Sequence, residues 1–198
     1  MRTFFVLSLP RSGTAWLSNF LTWGNAHCFH EVSYGCESLD DIKKAFSNAN
    51  MPVVGSADTA TCMFADKLHE AFPGSKFLIV IRDKEAVRQS LQHNGFDDSG
   101  LDMLGRALSD AARNEELDGA TIPFEALFTQ TGMRQVWEFL EMQGPFPWQR
   151  LEMLRDMNIQ DVARFQCTTP YAQQKISMNI HRFGQLIQSM YPQQQVWG

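Results

Sequence analysis

The sequence predicts an α/β domain, with a central parallel sheet flanked by helices and a helical C-terminal part. Three observations carry this expectation. Residues 3–9 and 77–81 are short, nearly continuous apolar runs, the pattern of strands buried on both faces of a parallel sheet. Each run passes through a few turn residues into a segment whose apolar positions recur at helical spacing, and such alternation builds parallel sheets through right-handed crossovers. The 198 residues are 44% hydrophobic, with 15 Phe and 5 Trp, which suffices for one domain over 1–198 with a real core and excludes a disordered chain.

Pro10 ends the first strand, Trp16, Leu17, Phe20 and Leu21 mark a helix beginning at Gly13, and Gly24 is a suitable stop. Residues 28–32 are expected as a second strand, 40–46 as a helix with Asp40 or Asp41 near its N-terminus, and 52–55 as a third strand. Pro73 and Gly74 introduce the strand 77–81, and a helix over 84–93 repeats the first unit. Beyond Asn94 the character changes. Residues 101–117 read as helix, 120–124 as a short strand, and 133–142, 148–157 and 173–190 as helices. In the last of these Ile176, Ile180, Phe183 and Ile187 share one stripe.

Composition narrows the function. With 17 Lys+Arg against 22 Asp+Glu the net charge is −5, which argues against a nucleic-acid binder held by overall charge. No apolar run approaches the roughly 18 residues that cross a bilayer, and the opening FFVLSLP lacks the long apolar core and cleavage site of a leader. A cytoplasmic protein with no membrane partner is expected. Cys28, Cys36, Cys62 and Cys167 form no CxxC pair and read as reduced thiols.

The segment Leu9-Pro10-Arg11-Ser12-Gly13-Thr14-Ala15-Trp16 joins the first strand to the first helix. At a helix start the amides of Ser12, Gly13, Thr14 and Ala15 have no intrahelical acceptor, and the helix dipole adds positive charge, so an anion belongs there. Gly13 permits close approach, the hydroxyls of Ser12 and Thr14 can donate, and Arg11 brings a permanent cation. A capped helix with a surface Arg is the plainer alternative. The ATP-type pattern GxxxxGK[ST] is absent, since neither its earlier Gly nor its Lys is present. LSLPRSGTAWL instead resembles the 5′-phosphosulfate loop of the sulfotransferases that use 3′-phosphoadenosine 5′-phosphosulfate (PAPS). That resemblance implies a P-loop NTPase-like three-layer fold, PAPS as donor and 3′-phosphoadenosine 5′-phosphate (PAP) as product. Ala15 departs from the family, which usually has Thr or Ser there, so one hydroxyl to the donor phosphate is missing.

A second anion site is expected where the run 77–81 leads into Arg82-Asp83 and Ser90 follows eight residues after Arg82. With a helix from Lys84, Arg82 lies at the strand's carboxyl end and Ser90 two turns into the helix, both where open α/β sheets bind ligands. KFLIVIRDKEAVRQS resembles the family's 3′-phosphate site, in which an Arg at the strand end and a Ser eight residues later hold the 3′-phosphate of PAPS. Lys84 replaces the usual Pro. Taken singly, Arg82 could equally pair with Asp83 or Glu85, and Ser90 could be an ordinary surface residue; two anion sites in this order suit a nucleotide phosphorylated at both ends of its ribose. The likeness continues more softly at 122–127 and 136–140. The C-terminal third matches no motif, although Lys175 or Arg164 could substitute for the basic C-terminal loop that touches the 3′-phosphate in the family.

Sulfuryl transfer is chiefly a matter of positioning and charge stabilisation, and by this logic no metal is required. Arg11 would stabilise the departing oxygen. The acceptor's proton needs a base, and the segment His27-Cys28-Phe29-His30-Glu31 returns beside the turn. Several family members carry a catalytic Glu on this stretch, and Glu31 is favoured over His30 for general-base work; a solvated Glu and a packed His are the plainer reading. His27, Cys28, His30, Glu31 and Cys36 lack the paired spacing of a zinc site.

The acceptor pocket is expected between the turn, Glu31 and helices of the second half, with residues 55–59 bordering it. Net acidity favours a small-molecule acceptor over a sulfated polymer. The competing functions are a P-loop-like nucleotide kinase or phosphotransferase and a non-catalytic nucleotide-binding protein, the latter suggested by Ala15.

Overall fold

The sequence RTFFVLS forms β1 (Arg2–Ser8) because large apolar side chains fall on both faces of the strand, and residues 4–8 are all buried. In the computed structural model, which describes residues 1–155, 182, 183 and 185–191, β1 is the middle strand of an all-parallel sheet. Its partners are β2 (Ala26–His30), β3 (Val53–Asp58), β4 (Lys76–Ile81) and β5 (Asp118–Pro123), in the order β2-β3-β1-β4-β5. The register runs Arg2↔Val53 to Leu7↔Asp58 on one side of β1 and Phe4↔Lys76 to Ser8↔Val80 on the other. Strand ends that carry the turns after β1, β3 and β4 therefore lie side by side.

Alternation along β1 divides the core in two. Phe4 and Val6 pack with α1 (Thr14–Leu21), α6 (Gln130–Phe139) and α7 (Trp148–Arg155) on one face. Phe5 and Leu7 pack on the other face with α2 (Leu39–Ala49), α3 (Ala65–Ala71), α4 (Lys84–His93) and α5 (Leu101–Arg113). The Phe5 ring stacks on Phe46 at 5.6 Å and Phe77 at 5.5 Å, with Phe72 edge-on at 5.2 Å. A buried Phe of this kind typically costs about 3–5 kcal/mol when cut to Ala. This is the expected α/β fold in three layers. Because α1 lies on the opposite face from α3 and α4, the chain leaving β1 diverges from the chain leaving both neighbouring strands, and a crevice opens at their carboxyl ends.

Several boundaries differ from the sequence expectations. The second strand begins at Ala26 and ends at His30; Val32 belongs to a 3-10 turn (Val32–Gly35). The third strand does not stop at Gly55 but runs to Asp58, and Gly55 is required inside it because a Cβ there would run into the Phe4 ring. Residues 55–58 are thus buried strand rather than pocket border. Periodicity assigns nothing between that strand and Pro73, where a 3-10 turn (Thr61–Phe64) and the short α3 occur without any side-chain cap. The helix expected over 101–117 ends at Arg113, since Asn114 turns the chain into β5. Trp148–Arg155 is helical, as are 182, 183 and 185–190, with Leu186 and Ile187 buried; Ile176, Ile180, Cys167, Arg164 and Lys175 lie outside the described residues. Cys28, Cys36 and Cys62 are free and buried.

Candidate active site at the carboxyl ends of β1, β3 and β4

The turn after β1 contains two left-handed residues, Arg11 at φ 63° and Gly13 at φ 83°. Gly13 adopts this conformation without steric cost, whereas for Arg11 it costs roughly 1–2 kcal/mol. Gly13 is the N-cap of α1, and no side chain caps that helix. By contrast Ser38, Asp83 and Thr129 cap α2, α4 and α6 with side-chain oxygens. The first bond of α1 runs from the Leu17 amide to the Gly13 carbonyl at 2.8 Å, so the amides before Leu17 precede the helical ladder and have no intrahelical acceptor, the arrangement that suits an anion. Ser12 is fully buried, and among the described residues its hydroxyl has no hydrogen-bond partner. An orphaned hydroxyl beside uncapped amides is matched to a phosphate oxygen.

On the β4 side the two motifs meet. The Arg82 guanidinium donates to the Arg11 carbonyl and lies 4.1 Å over the Phe124 ring. Arg11 Nε donates to Ser90 Oγ at 3.2 Å, with its guanidinium 5.8 Å from the exposed Phe96 ring. Asp83 does not pair with Arg82: its carboxylate accepts the Ala86 amide at 2.8 Å and caps α4. Glu85 is engaged by Arg88 at 2.5 Å, and Lys84, which replaces the family's Pro, pairs with Asp102 at 2.8 Å and ties α4 to α5. Burial lowers the Arg82 pKa while Glu125 raises it; a guanidinium stays charged throughout.

On the β3 side the groups are acids and hydroxyls. Thr14 Oγ1 is 3.2 Å from His30 Nε2, which is 3.9 Å from Glu31 Oε1. Glu31 is left-handed at φ 55°, and its amide donates to the Ala57 carbonyl at 3.0 Å. Thr59 Oγ1 donates to Glu31 Oε1 at 3.0 Å. Behind them Asp58 is fully buried and accepts from the Ser33 amide at 3.2 Å, the Ser33 hydroxyl at 2.6 Å and the Ser56 hydroxyl. Burial first, and the nearby Asp58 second, push the Glu31 carboxyl up to about 8, against the Thr59 hydrogen bond, which lowers it. Burial lowers the His30 pKa and, aided by Glu31 and Asp58, pushes the Tyr34 phenol up to about 12.

The structure therefore brings Arg11, Arg82 and Ser90 together on one flank and Thr14, His30 and Glu31 on the other, with Ser12 and Gly13 between. Ala15 starts the second residue of α1, where its carbonyl accepts from Ser18 and Asn19, each at 2.9 Å. Motif reasoning missed Tyr34 and Phe124, and it named Asp58 only within the stretch 55–59 expected to border the acceptor pocket, without its burial or its effect on Glu31. Among the described residues no group of three or more His, Cys, Asp and Glu side chains is placed to hold a metal ion. Nor is any described helix long and apolar enough to cross a membrane.

An uncapped, glycine-bent turn between a parallel strand and a helix, with two arginines beside it, is the arrangement at which α/β proteins of this type bind anions. Residues 3–99 match the family model described as "Sulfotransferase domain", a span holding both anion motifs and the Glu31 segment, and this part of the chain belongs to the sulfotransferase family. Comparison with curated proteins returned no match.

Proposed function

We propose that the protein transfers a sulfuryl group from PAPS to a hydroxyl or amine of a small-molecule acceptor, with 1–198 acting as one cytoplasmic domain. The observation that carries the reading is the junction of the two anion motifs: Arg82 donates to the Arg11 carbonyl while Arg11 donates to Ser90, so two charged cradles stand within the reach of one doubly phosphorylated nucleotide. The amides of Ser12, Gly13, Thr14 and Ala15, with the hydroxyls of Ser12 and Thr14, would hold the 5′ side of the donor; Arg82 and Ser90 would hold its 3′-phosphate. When bound, PAPS supplies the sulfuryl group on a phosphate leaving group.

The chain's own part is charge and proton management. Arg11 and the loop amides stabilise negative charge where it develops, a contribution typically worth about 10²–10³ in rate per donor. Glu31 takes the acceptor's proton; with its carboxyl pushed up to about 8 its ionised form, a minority at neutral pH, is a stronger base than an ordinary carboxylate. His30, hydrogen-bonded to Thr14, steadies the loop hydroxyl beside that base. Nothing in these roles calls for a metal.

The test incubates the full chain with ³⁵S-labelled PAPS and a panel of phenols, aliphatic alcohols and amines, following PAP release. Labelled product from at least one acceptor is expected. Magnesium-dependent phosphoryl transfer from ATP with no use of PAPS would overturn the reading in favour of a kinase, and tight PAP binding with no transfer to any acceptor would mark a non-catalytic binder.

A further inference from the structure

We propose that Thr59 is a positioning residue for the reaction: it holds the Glu31 carboxylate by one oxygen and so presents the other to the acceptor. This rests on Glu31 being the base and adds what aims it. A non-glycine residue holds the left-handed conformation of Glu31 only where its surroundings enforce it, and here β3 and the residue that follows it hold Glu31 at its backbone and at its side chain. The Ala57 carbonyl takes the Glu31 amide at 3.0 Å, and two residues further on the Thr59 hydroxyl donates to Oε1 at 3.0 Å.

Thr59 is the first residue past β3 and only 7% exposed, so its hydroxyl sits on a short, β-branched and buried side chain close to the end of the strand. A hydroxyl has one proton to give; given to a carboxylate it makes a charge-assisted bond and fixes the carboxylate plane. Among the described residues Oε2 takes no hydrogen bond, and the Glu31 side chain keeps 24% exposure. Oε2 is thus the oxygen left to meet a substrate proton. The titratable groups facing Glu31 are His30 from the end of β2, Asp58 from β3 and Tyr34 from the 32–35 turn. Asp58 disfavours the ionised base and Thr59 favours it, so the two consecutive residues act on Glu31 in opposite senses.

The test titrates Glu31 by ¹³C-carboxyl NMR in the full chain labelled at glutamate, its resonance assigned with Glu31→Gln. Thr59→Val, which removes the hydroxyl and keeps the shape, is expected to raise the Glu31 midpoint by about one unit, a tenfold change in its ionisation constant. Thr59→Ser is expected to restore the midpoint, and Thr59→Ala to repeat the rise should the Val variant fail to fold. In PAP release from PAPS with 2-naphthol as acceptor, Thr59→Val is expected to move the acid limb of kcat upward with KM for PAPS unchanged. An unmoved NMR midpoint in Thr59→Val and Thr59→Ala overturns the proposal whatever Glu31→Gln does. A moved midpoint accompanied by undiminished transfer in Glu31→Gln overturns the base reading instead.

Discussion

On the β4 flank of the β1 turn the converging groups are two guanidinium ions resting on the faces of Phe124 and Phe96; on the β3 flank they are carboxyls, hydroxyls and an imidazole. The arginines remain charged in any environment, so that flank is ready for an anion before one arrives. The carboxyl of Glu31 is instead pushed by burial and by Asp58 toward its neutral form, the condition of a group that exchanges a proton rather than holds an ion. Strand order makes the division possible. With β1 between β3 and β4, one turn borders both flanks, and the acidic Asp58 sits across β1 from Arg82, where it does not neutralise the cation.

If the flanks divide the labour in this way, variants should separate turnover from donor binding. Glu31→Gln is expected to have the largest effect, a fall in kcat of about 10²–10⁴ with PAP affinity unchanged, measured by PAP release and calorimetry on the same preparation. Arg82→Ala should do the reverse, weakening PAP about 10- to 100-fold through the loss of a charge-assisted contact. Gly13 stands between the flanks, and Gly13→Ala would place a Cβ at a left-handed φ of 83°. A loss of about 1–2 kcal/mol in urea unfolding is expected, together with weaker PAP binding.

Smaller effects sharpen the carboxyl side. Asp58→Asn removes the like charge, so the Glu31 midpoint should fall and the acid limb of kcat move to lower pH. In the folded chain Glu31 keeps its proton up to about pH 8, whereas its ordinary value is 4.5. Between these values the folded state binds the extra proton, so this group's contribution lowers stability as pH rises, by at most about 1.4 kcal/mol per unit. Thermal unfolding from pH 5 to 8 should show that decline, and Glu31→Gln should flatten it.

The strands and the strand-to-helix turns that bring Arg11, Gly13, Arg82 and Ser90 together were legible because each rests on local chemistry: apolar runs make buried strands, and the turn residues that follow them mark where the helices start. The placement of Arg82 on the Arg11 carbonyl was expected only as proximity, since a hydrogen bond between residues 71 positions apart depends on strand order. Asp58 was expected only as one of residues 55–59 at the pocket border, and its burial was hidden for a physical reason. A single acid at the end of an apolar strand looks like a strand terminus, and only the Ser33 and Ser56 donors reveal that it is buried. Similarly α3 has Phe64 as its N-cap and seven residues, too short for periodicity and without a capping signal to mark its start.

The most direct test of one nucleotide spanning both cradles is calorimetric titration of the wild-type chain and Arg82→Ala with PAP and with ADP. ADP keeps both phosphates on the 5′ side, so it reaches the turn at Gly13 without a group for Arg82 and Ser90. The account predicts that the wild type prefers PAP by about 10- to 100-fold and that Arg82→Ala abolishes the preference by weakening PAP alone. Equal affinity for the two nucleotides, or a preference for ADP, would contradict it.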